Sequence, residues 1–285
     1  MFTKKDLELI IDALVALNPD EPHKFWGPLI ALFMSLRVNE VCQLYCEDIE
    51  WVKVTNEDNQ EEDVVCIRVS NLLPGQSVKS VHSIRHLPIP QRLIDLGFLD
   101  YVAAVRETGS LHLFPGLAWG ETGPGKALSK WFNSEVLRKR CGITSKSKTF
   151  HCFRHTLSTL AQRNRVELNF IKAINGHSPG QDVDSKVYIK APSLLELRGC
   201  LNGLPFGDLA IPACPHDRFS THLTFTAARE AHEERLRANG LEAPRRRGRP
   251  PKGVPSEWME AYEERKVQRR DRALSRKKVP KEALI

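Results

Sequence analysis

Val52-Lys53-Val54-Thr55, Val64-Val65-Cys66-Ile67-Arg68-Val69 and Ile84-Arg85-His86-Leu87-Pro88-Ile89 decide the fold class of this chain. Each run is short, rich in β-branched residues and bounded by polar turn residues, which is how strands read. Pro88 and Pro90 end the third run, because proline cannot donate to a strand ladder. Three such runs in close succession over residues 51–89 predict one small antiparallel sheet. The apolar residues on either side recur with helical period. The expectation is therefore an α+β fold, mainly helical, with a single three-stranded sheet.

Upstream of the sheet, Thr3 can cap a helix whose apolar stripe is Leu7, Ile10, Ile11, Leu14 and Leu17. Asn18-Pro19-Asp20-Glu21-Pro22 breaks it. Phe25 to Leu36 is apolar nearly all round and predicts a buried helix. Arg37-Val38-Asn39-Glu40 then leads into a helix through Val41, Leu44 and Tyr45. Downstream, 91–107 reads as one helix, 116–125 as loop and 127–140 as a further helix. Thr149 is placed to cap a helix carrying His151, Arg154 and Leu157, and residues three apart share a helix face. Gln162 to Arg165 is a polar break. Leu168 to Ile174 is a short helix closed by Gly176, a natural residue at a helix end. Residues 193–200 read as another helix, and 226–237 as a polar, charged one. From Ala243 the chain is rich in Pro, Arg and Lys, a composition that does not bury a core.

The 285 residues contain 41% hydrophobic residues, enough for a substantial core, and no apolar run of membrane-spanning length. Met1-Phe2-Thr3-Lys4-Lys5-Asp6 lacks the apolar run of a secretory signal. Seven scattered cysteines suit a reducing compartment better than a disulfide framework. Cys42 and Cys46 stand four apart on an expected helix, with no second pair at zinc spacing, and read as buried thiols. These features point to the cytoplasm. The formal charge is +7. Arg245 to Ile285 holds 14 Lys/Arg and 6 Asp/Glu, a net of +8, so the rest of the chain is at −1. A basic tail on a near-neutral body suits a polyanionic partner.

Six residues carry the chemistry: Arg37, Lys79, His151, Arg154, His177 and Tyr188. Arginine forks match the oxygens of a phosphodiester and stay charged. Histidine and lysine can move protons to and from a leaving oxygen. A tyrosine oxygen can attack phosphorus and form a covalent intermediate that a DNA hydroxyl can attack in turn. With the cations preorganised around the phosphate, no metal or other cofactor is needed. Each residue also has a plainer reading. Arg37 could be a surface charge at a helix end, His177 a helix cap, Tyr188 a core aromatic and Lys79 a solvated loop lysine, and an error in register would promote its neighbours Arg85 or His82 in its place.

The order of these residues resembles the tyrosine recombinase (phage integrase) family over roughly the first two-thirds of the chain. The resemblance rests on Arg37 followed by Glu40, on His151-Cys152-Phe153-Arg154-His155, and on Gly176-His177-Ser178 with Tyr188 eleven residues after that histidine. It implies Arg37 and Arg154 as phosphate clamps, Glu40 as the acid that orients Arg37, and His151 as a proton-handling donor. It further implies His177 as a donor to the scissile phosphate, Lys79 on the hairpin, His155 as structural and Tyr188 as nucleophile. Family members usually have glycine two residues before the first arginine, where this chain has Ser35. The spacing from His177 to Tyr188 exceeds the family's shortest, an extension around Pro179-Gly180-Gln181-Asp182. Tyr45 and Tyr101 lie in core-like patterns, and Tyr262 lies far into the charged tail.

The division this implies is a catalytic domain over 1–205, a partly helical C-terminal extension over 206–242 and a mobile basic tail over 243–285. Within the tail, Arg245, Arg246, Arg247, Arg249 and Lys252 surround Arg247-Gly248-Arg249-Pro250, which resembles an AT-hook entering a narrow A·T minor groove; a disordered basic linker is the plainer reading. The implied partner is double-stranded DNA, with no membrane and no small-molecule substrate. The implied assembly is a homotetramer on DNA, with 193–205, including Leu194, Leu195, Leu197 and Leu201, either exchanged between protomers or packed on their own chain. A type IB topoisomerase and an architectural DNA-binding protein with a decayed site are the alternatives. Members usually carry an N-terminal helical domain, whereas here the catalytic pattern starts near Met1. A fragment, a free-standing catalytic domain or substitution by the tail would each fit.

Overall fold

The computed structural model describes residues 1–17, 20–119, 123–178, 191–206, 209–239 and the single positions 264 and 267. The fold is mainly helical with one three-stranded antiparallel sheet in the order β1-β2-β3, formed by Ile49–Thr55, Glu61–Val69 and Arg85–Pro88. β1 pairs with β2 from Ile49↔Ile67 to Thr55↔Glu61, and β2 pairs with β3 from Cys66↔Pro88 to Val69↔Arg85. The register puts Ile67 and Leu87 opposite each other on the buried face, both fully enclosed.

Two helices precede the sheet. α1, Lys4–Leu17, buries Leu7, Ile10, Ile11, Leu14 and Leu17. Thr3 caps it reciprocally: the Asp6 amide donates to Thr3 Oγ1 (3.2 Å), and Asp6 Oδ2 accepts from the Thr3 amide (2.7 Å). α2, Pro22–Met34, is buried nearly all round, with Pro22 in the first turn, where a missing N–H costs nothing. Trp26 of α2 stacks on Tyr101 and meets the edge of Phe98.

α3 is Val38–Cys42 and is shorter than its sequence predicts. Leu44 and Tyr45 lie beyond it, and Tyr45 bridges to His112 instead of continuing the helix. Cys46 consequently starts a separate 3-10 turn, Cys46–Asp48. Both cysteines are buried free thiols, and burial raises the Cys46 thiol to about 11 and Cys42 further.

The helix expected over 91–107 is two helices, α4 Gln91–Asp95 and α5 Phe98–Glu107. Gly97 between them has φ 87°, and a Cβ there would stand 3.0 Å from the Cys214 carbonyl oxygen. Only glycine meets both demands. The helix expected over 127–140 starts at Gly125 as α6, Gly125–Trp131, and continues as a π-helix over Phe132–Arg140. α7, Cys152–Arg163, begins with His151 at its N-cap; Thr149 contributes a backbone carbonyl to the Cys152 amide, not a side-chain cap. α8 is Leu168–Asn175.

α9, Leu194–Gly203, starts with a Ser193–Glu196 capping box and packs across β3, burying Leu197 and Leu201 against its own chain. Beyond it, Leu209, Ile211, Cys214, Phe219 and Leu223 belong to the same hydrophobic cluster as Trp26 and Leu29. The Cys214 amide donates to the Leu96 carbonyl, and Arg92 donates to the Leu209 carbonyl, so this stretch is stitched to α4. α10, Ser220–Ala238, begins six residues before its polar pattern suggests. Among the described residues, no helix is long and apolar enough to cross a membrane.

Candidate functional site

Four elements meet at one place: the C-terminal end of α2, the start of α3, the N-terminal half of α7 and the C-terminal end of α8. Arg37 stands at the N-cap of α3. Glu40, one turn on and 3% exposed, reaches back with Oε2 to the Arg37 amide (2.9 Å) and with Oε1 to Arg37 Nη1 (2.5 Å). The same carboxylate accepts from Arg85 Nη2 at 3.2 Å. One buried acid thus holds two guanidinium groups.

Each nitrogen of the Arg85 guanidinium is engaged. Its Nε donates to the Ile174 carbonyl (2.9 Å) and its Nη1 to the Ser83 carbonyl (2.7 Å). It ties β3 to the end of α8. The alternation along β3 is the signal for it: Arg85 shares a face with buried Leu87, while His86 points outward to Glu50 (2.6 Å). An inward arginine requires a counterion, and Glu40 supplies it. Burial raises the carboxyl of Glu40, but the charges and hydrogen bonds of Arg85 and Arg37 outweigh this and leave it below the ordinary value. Arg85 itself is lowered, because burial costs it more than its one acid returns and Arg37 adds repulsion. The two partners differ because Glu40 serves two cations, whereas Arg85 has one anion.

Arg154, on the buried face of α7 and 5% exposed, sits between two carbonyl oxygens. Nη1 donates to Ser35 (2.9 Å) and Nη2 to Asn175. Nη2 also lies 3.0 Å from His177 Nε2. A guanidinium cannot accept, so Nε2 is the acceptor and His177 carries its proton on Nδ1. Burial, Arg37 and Arg85 lower Arg154 toward about 9 against the pull of Glu40. The guanidinium stays protonated, and the crowded positive charge destabilises it.

Gly176 closes α8 at φ 61°, and the His177 amide donates back to the Lys172 carbonyl at 3.0 Å. A Cβ on Gly176 would lie 2.8 Å from Arg85 Nη1 and 2.9 Å from Ser83 Cα. Glycine is therefore needed both for the turn and for the approach of β3, and this turn aims His177 at Arg154.

His151 and His155 pack edge to face, 4.9 Å between ring centroids. Desolvation leads the lowering of the His151 pKa, followed by His155, Arg154, Arg37 and Lys79; His177 is lowered by desolvation, then Arg154, Arg37, Arg85 and Lys79. Both rings have solvent-accessible edges, so the desolvation is partial and the surrounding cations reinforce it. Both shifts favour the neutral imidazole.

Lys79 lies in the exposed loop between β2 and β3, with its charge felt at both histidines. The loop is anchored to the segment after α3. Gln43 Nε2 donates to the Ser77 carbonyl (3.0 Å) while its Oε1 accepts from the Ser77 amide (3.1 Å), and Tyr45 Oη donates to the Pro74 carbonyl (2.7 Å). The structure thus joins Arg37 to Glu40 and Arg154 to His177 by direct contact, brings the two pairs within electrostatic reach of each other and of His151 and Lys79, and adds Arg85, Ser35 and Asn175. Tyr188 and the tail residues Arg245, Arg246, Arg247, Arg249 and Lys252 lie outside the described residues. Two of the chain's four tyrosines are committed elsewhere: Tyr45 as above, and Tyr101 Oη to the Leu113 carbonyl at 2.5 Å.

Chemically, the cluster sets three arginines and a lysine against one carboxylate, with two neutral imidazoles beside them. Such an arrangement can take an anion whose oxygens accept several hydrogen bonds. Among the described residues, no three His, Cys, Asp or Glu side chains stand together as a metal site. No protein-family model, curated protein or solved structure matches the chain.

Proposed function

We propose that this protein cuts and rejoins DNA strands through a 3′-phosphotyrosine at Tyr188, as a site-specific recombinase of the tyrosine type. The observation that carries the reading is two bonded pairs, Arg37 with Glu40 and Arg154 with His177, close enough that the Arg37 charge is felt at both Arg154 and His177. That arrangement suits a phosphodiester whose transition state gains negative charge on its non-bridging oxygens.

In the proposed reaction the phenolic oxygen of Tyr188 bonds to phosphorus while the bond from phosphorus to the 5′-oxygen breaks. Arg37 and Arg154 bind the non-bridging oxygens. The neutral His151 is suited to take the phenolic proton, and Lys79 to give one to the departing 5′-oxygen. A 5′-hydroxyl from the partner strand then attacks the phosphotyrosine and releases the enzyme, so the bond energy is kept throughout. Both Nη2 hydrogens of Arg154 are already engaged, by Asn175 and His177. A bidentate grip on phosphate requires His177 to leave that position, which frees Nε2 for its own part in the reaction.

A nicked suicide duplex tests the reading, because loss of a short leaving strand traps the covalent intermediate. Wild type is expected to give a protein–DNA adduct and Tyr188→Phe none, with DNA binding retained. An adduct that persists in Tyr188→Phe overturns the assignment. Relaxation of a single plasmid without paired sites would favour a topoisomerase, and no adduct with tight binding would favour an architectural role.

A further inference from the structure

We infer that Ser35 and Asn175 form a positioning pair that fixes Arg154, an inference that rests on the reading of the site as a phosphodiester clamp. The two carbonyls that accept from Arg154 belong to residues whose side chains bond to each other. Arg154 Nη1 donates to Ser35 O, Ser35 Oγ donates to Asn175 Oδ1 at 2.6 Å, and Asn175 O accepts from Arg154 Nη2. The ring is closed and buried, with Ser35 at 0% and Asn175 at 3% exposure. Asn175 Nδ2 donates onward to Ser158 Oγ on α7 at 2.8 Å, so both polar atoms of the side-chain amide are engaged.

The ring joins three elements: the end of α2, the face of α7 and the last turn of α8. The spacing between the two carbonyls fixes the plane of the guanidinium. The plane of the guanidinium in turn sets which face of Nη2 is presented to His177, whose Nε2 lies 3.0 Å away, and to an incoming anion. Closed hydrogen-bond rings of this kind resist displacement better than separate bonds, and a site displaced by about 1 Å loses on the order of 100-fold in rate.

Ser35 is the informative position. It adopts φ 60°, ψ 21°, a left-handed conformation that disfavours residues with a Cβ. Its hydroxyl bond to Asn175 is the compensation visible in the structure. Glycine would relieve the backbone and remove the hydroxyl, leaving the fold intact and the ring open. Asn175→Leu opens the same ring from the other side, keeping the branched outline but no polar atom.

The experiment uses the full chain and two readouts. The first is the rate constant for adduct formation on the nicked duplex at saturating DNA, alongside the dissociation constant for that DNA. The second is the affinity for sulfate by calorimetry, which does not depend on cleavage. Ser35→Gly and Asn175→Leu are each expected to slow adduct formation by roughly 10- to 100-fold, with DNA affinity changed by less than about threefold, since phosphate charge dominates binding. Each should weaken sulfate binding by a similar factor to the other. The double variant should be no slower than the slower single variant, because both changes open one ring. Wild-type rate and sulfate affinity in Ser35→Gly overturn the inference, as do losses that multiply in the double variant or a wild type that does not bind sulfate. If Asn175→Leu does not fold, Ser35→Gly decides alone. A wild type that binds sulfate but forms no adduct overturns the recombinase reading, and the sulfate series still decides the positioning role.

Discussion

Replacing Glu40 by Gln is the most direct probe of how the cluster is held. The carboxylate is 3% exposed and meets Arg37 at 2.5 Å and Arg85 at 3.2 Å. Gln keeps the shape and one acceptor oxygen but removes the charge. Removing one partner of a buried ion pair typically costs about 3–5 kcal/mol. The retained oxygen and the partial exposure of Arg37 put the expected loss near the lower end, about 3 kcal/mol. For a chain of this size that lowers the melting temperature by about 6–12 °C. The acid limb should change as well. Glu40 has a folded pKa below its unfolded value, so its contribution is fully present above the unfolded pKa, near 4.5, and is lost as pH falls through the folded one. Urea denaturation of wild type and Glu40→Gln from pH 7 down to about pH 3.5 measures both effects. The wild type should approach the variant as pH falls. A variant within roughly 0.5 kcal/mol of wild type at pH 7, a change typical of surface sites, with an unaltered acid limb would refute the bridging role of Glu40.

The remaining expectations concern ligands. Sulfate binding should be accompanied by proton uptake near pH 6.5, because an anion raises the depressed pKa values of His151 and His177; calorimetry in buffers of different ionisation enthalpy measures the uptake, and a value of zero would contradict the placement of these rings beside the anion. Deleting Arg245 to Ile285 removes a net +8 and should flatten the plot of log affinity against log salt by about 0.9 for each phosphate that the tail neutralises. An unchanged slope would mean the tail does not touch DNA, and an equal drop in affinity on A·T-rich and G·C-rich duplex would rule out minor-groove reading by Arg247 and Arg249.

The sheet was legible because its period is local: alternation and β-branching over a few residues suffice to place β1, β2 and β3. The buried α2 was legible because a run apolar nearly all round can only be enclosed. The break at Gly97 was not, because a glycine inside a helical pattern costs only about 1 kcal/mol and the close approach of the Cys214 carbonyl is a tertiary fact. The early end of α3 likewise depends on Tyr45 finding His112. Burial of Leu209, Ile211 and Cys214 was illegible because they follow no period and are held by bonds to α4. At the site, Arg37 with Glu40 and His151 with Arg154 could be paired by spacing within one turn. Arg85 was within reach through the alternation of β3. The Ser35–Asn175 bond spans 140 positions, and nothing local marks either residue.

The charge distribution gives the cluster its direction. Outside the tail the chain is at −1, so the body as a whole exerts little pull on a polyanion. Within it, Arg37, Arg85 and Arg154 are set around one carboxylate, and the fold keeps His151 and His177 neutral instead of adding to the repulsion. Such a cluster is least stable when empty. Each anionic oxygen that arrives relieves Arg154 and permits an imidazole to take a proton, so binding and proton gain reinforce each other. On the proposed reading, any attraction of DNA by the charges of Arg245 to Ile285 and capture at the cluster are separable by salt. At 1 M salt the Debye length falls to about 3 Å, and exposed charges are screened strongly while partly buried contacts such as those around Arg154 are screened far less. Chemistry at the cluster should therefore outlast tail-dependent binding as salt is raised, provided that DNA concentration is raised with it.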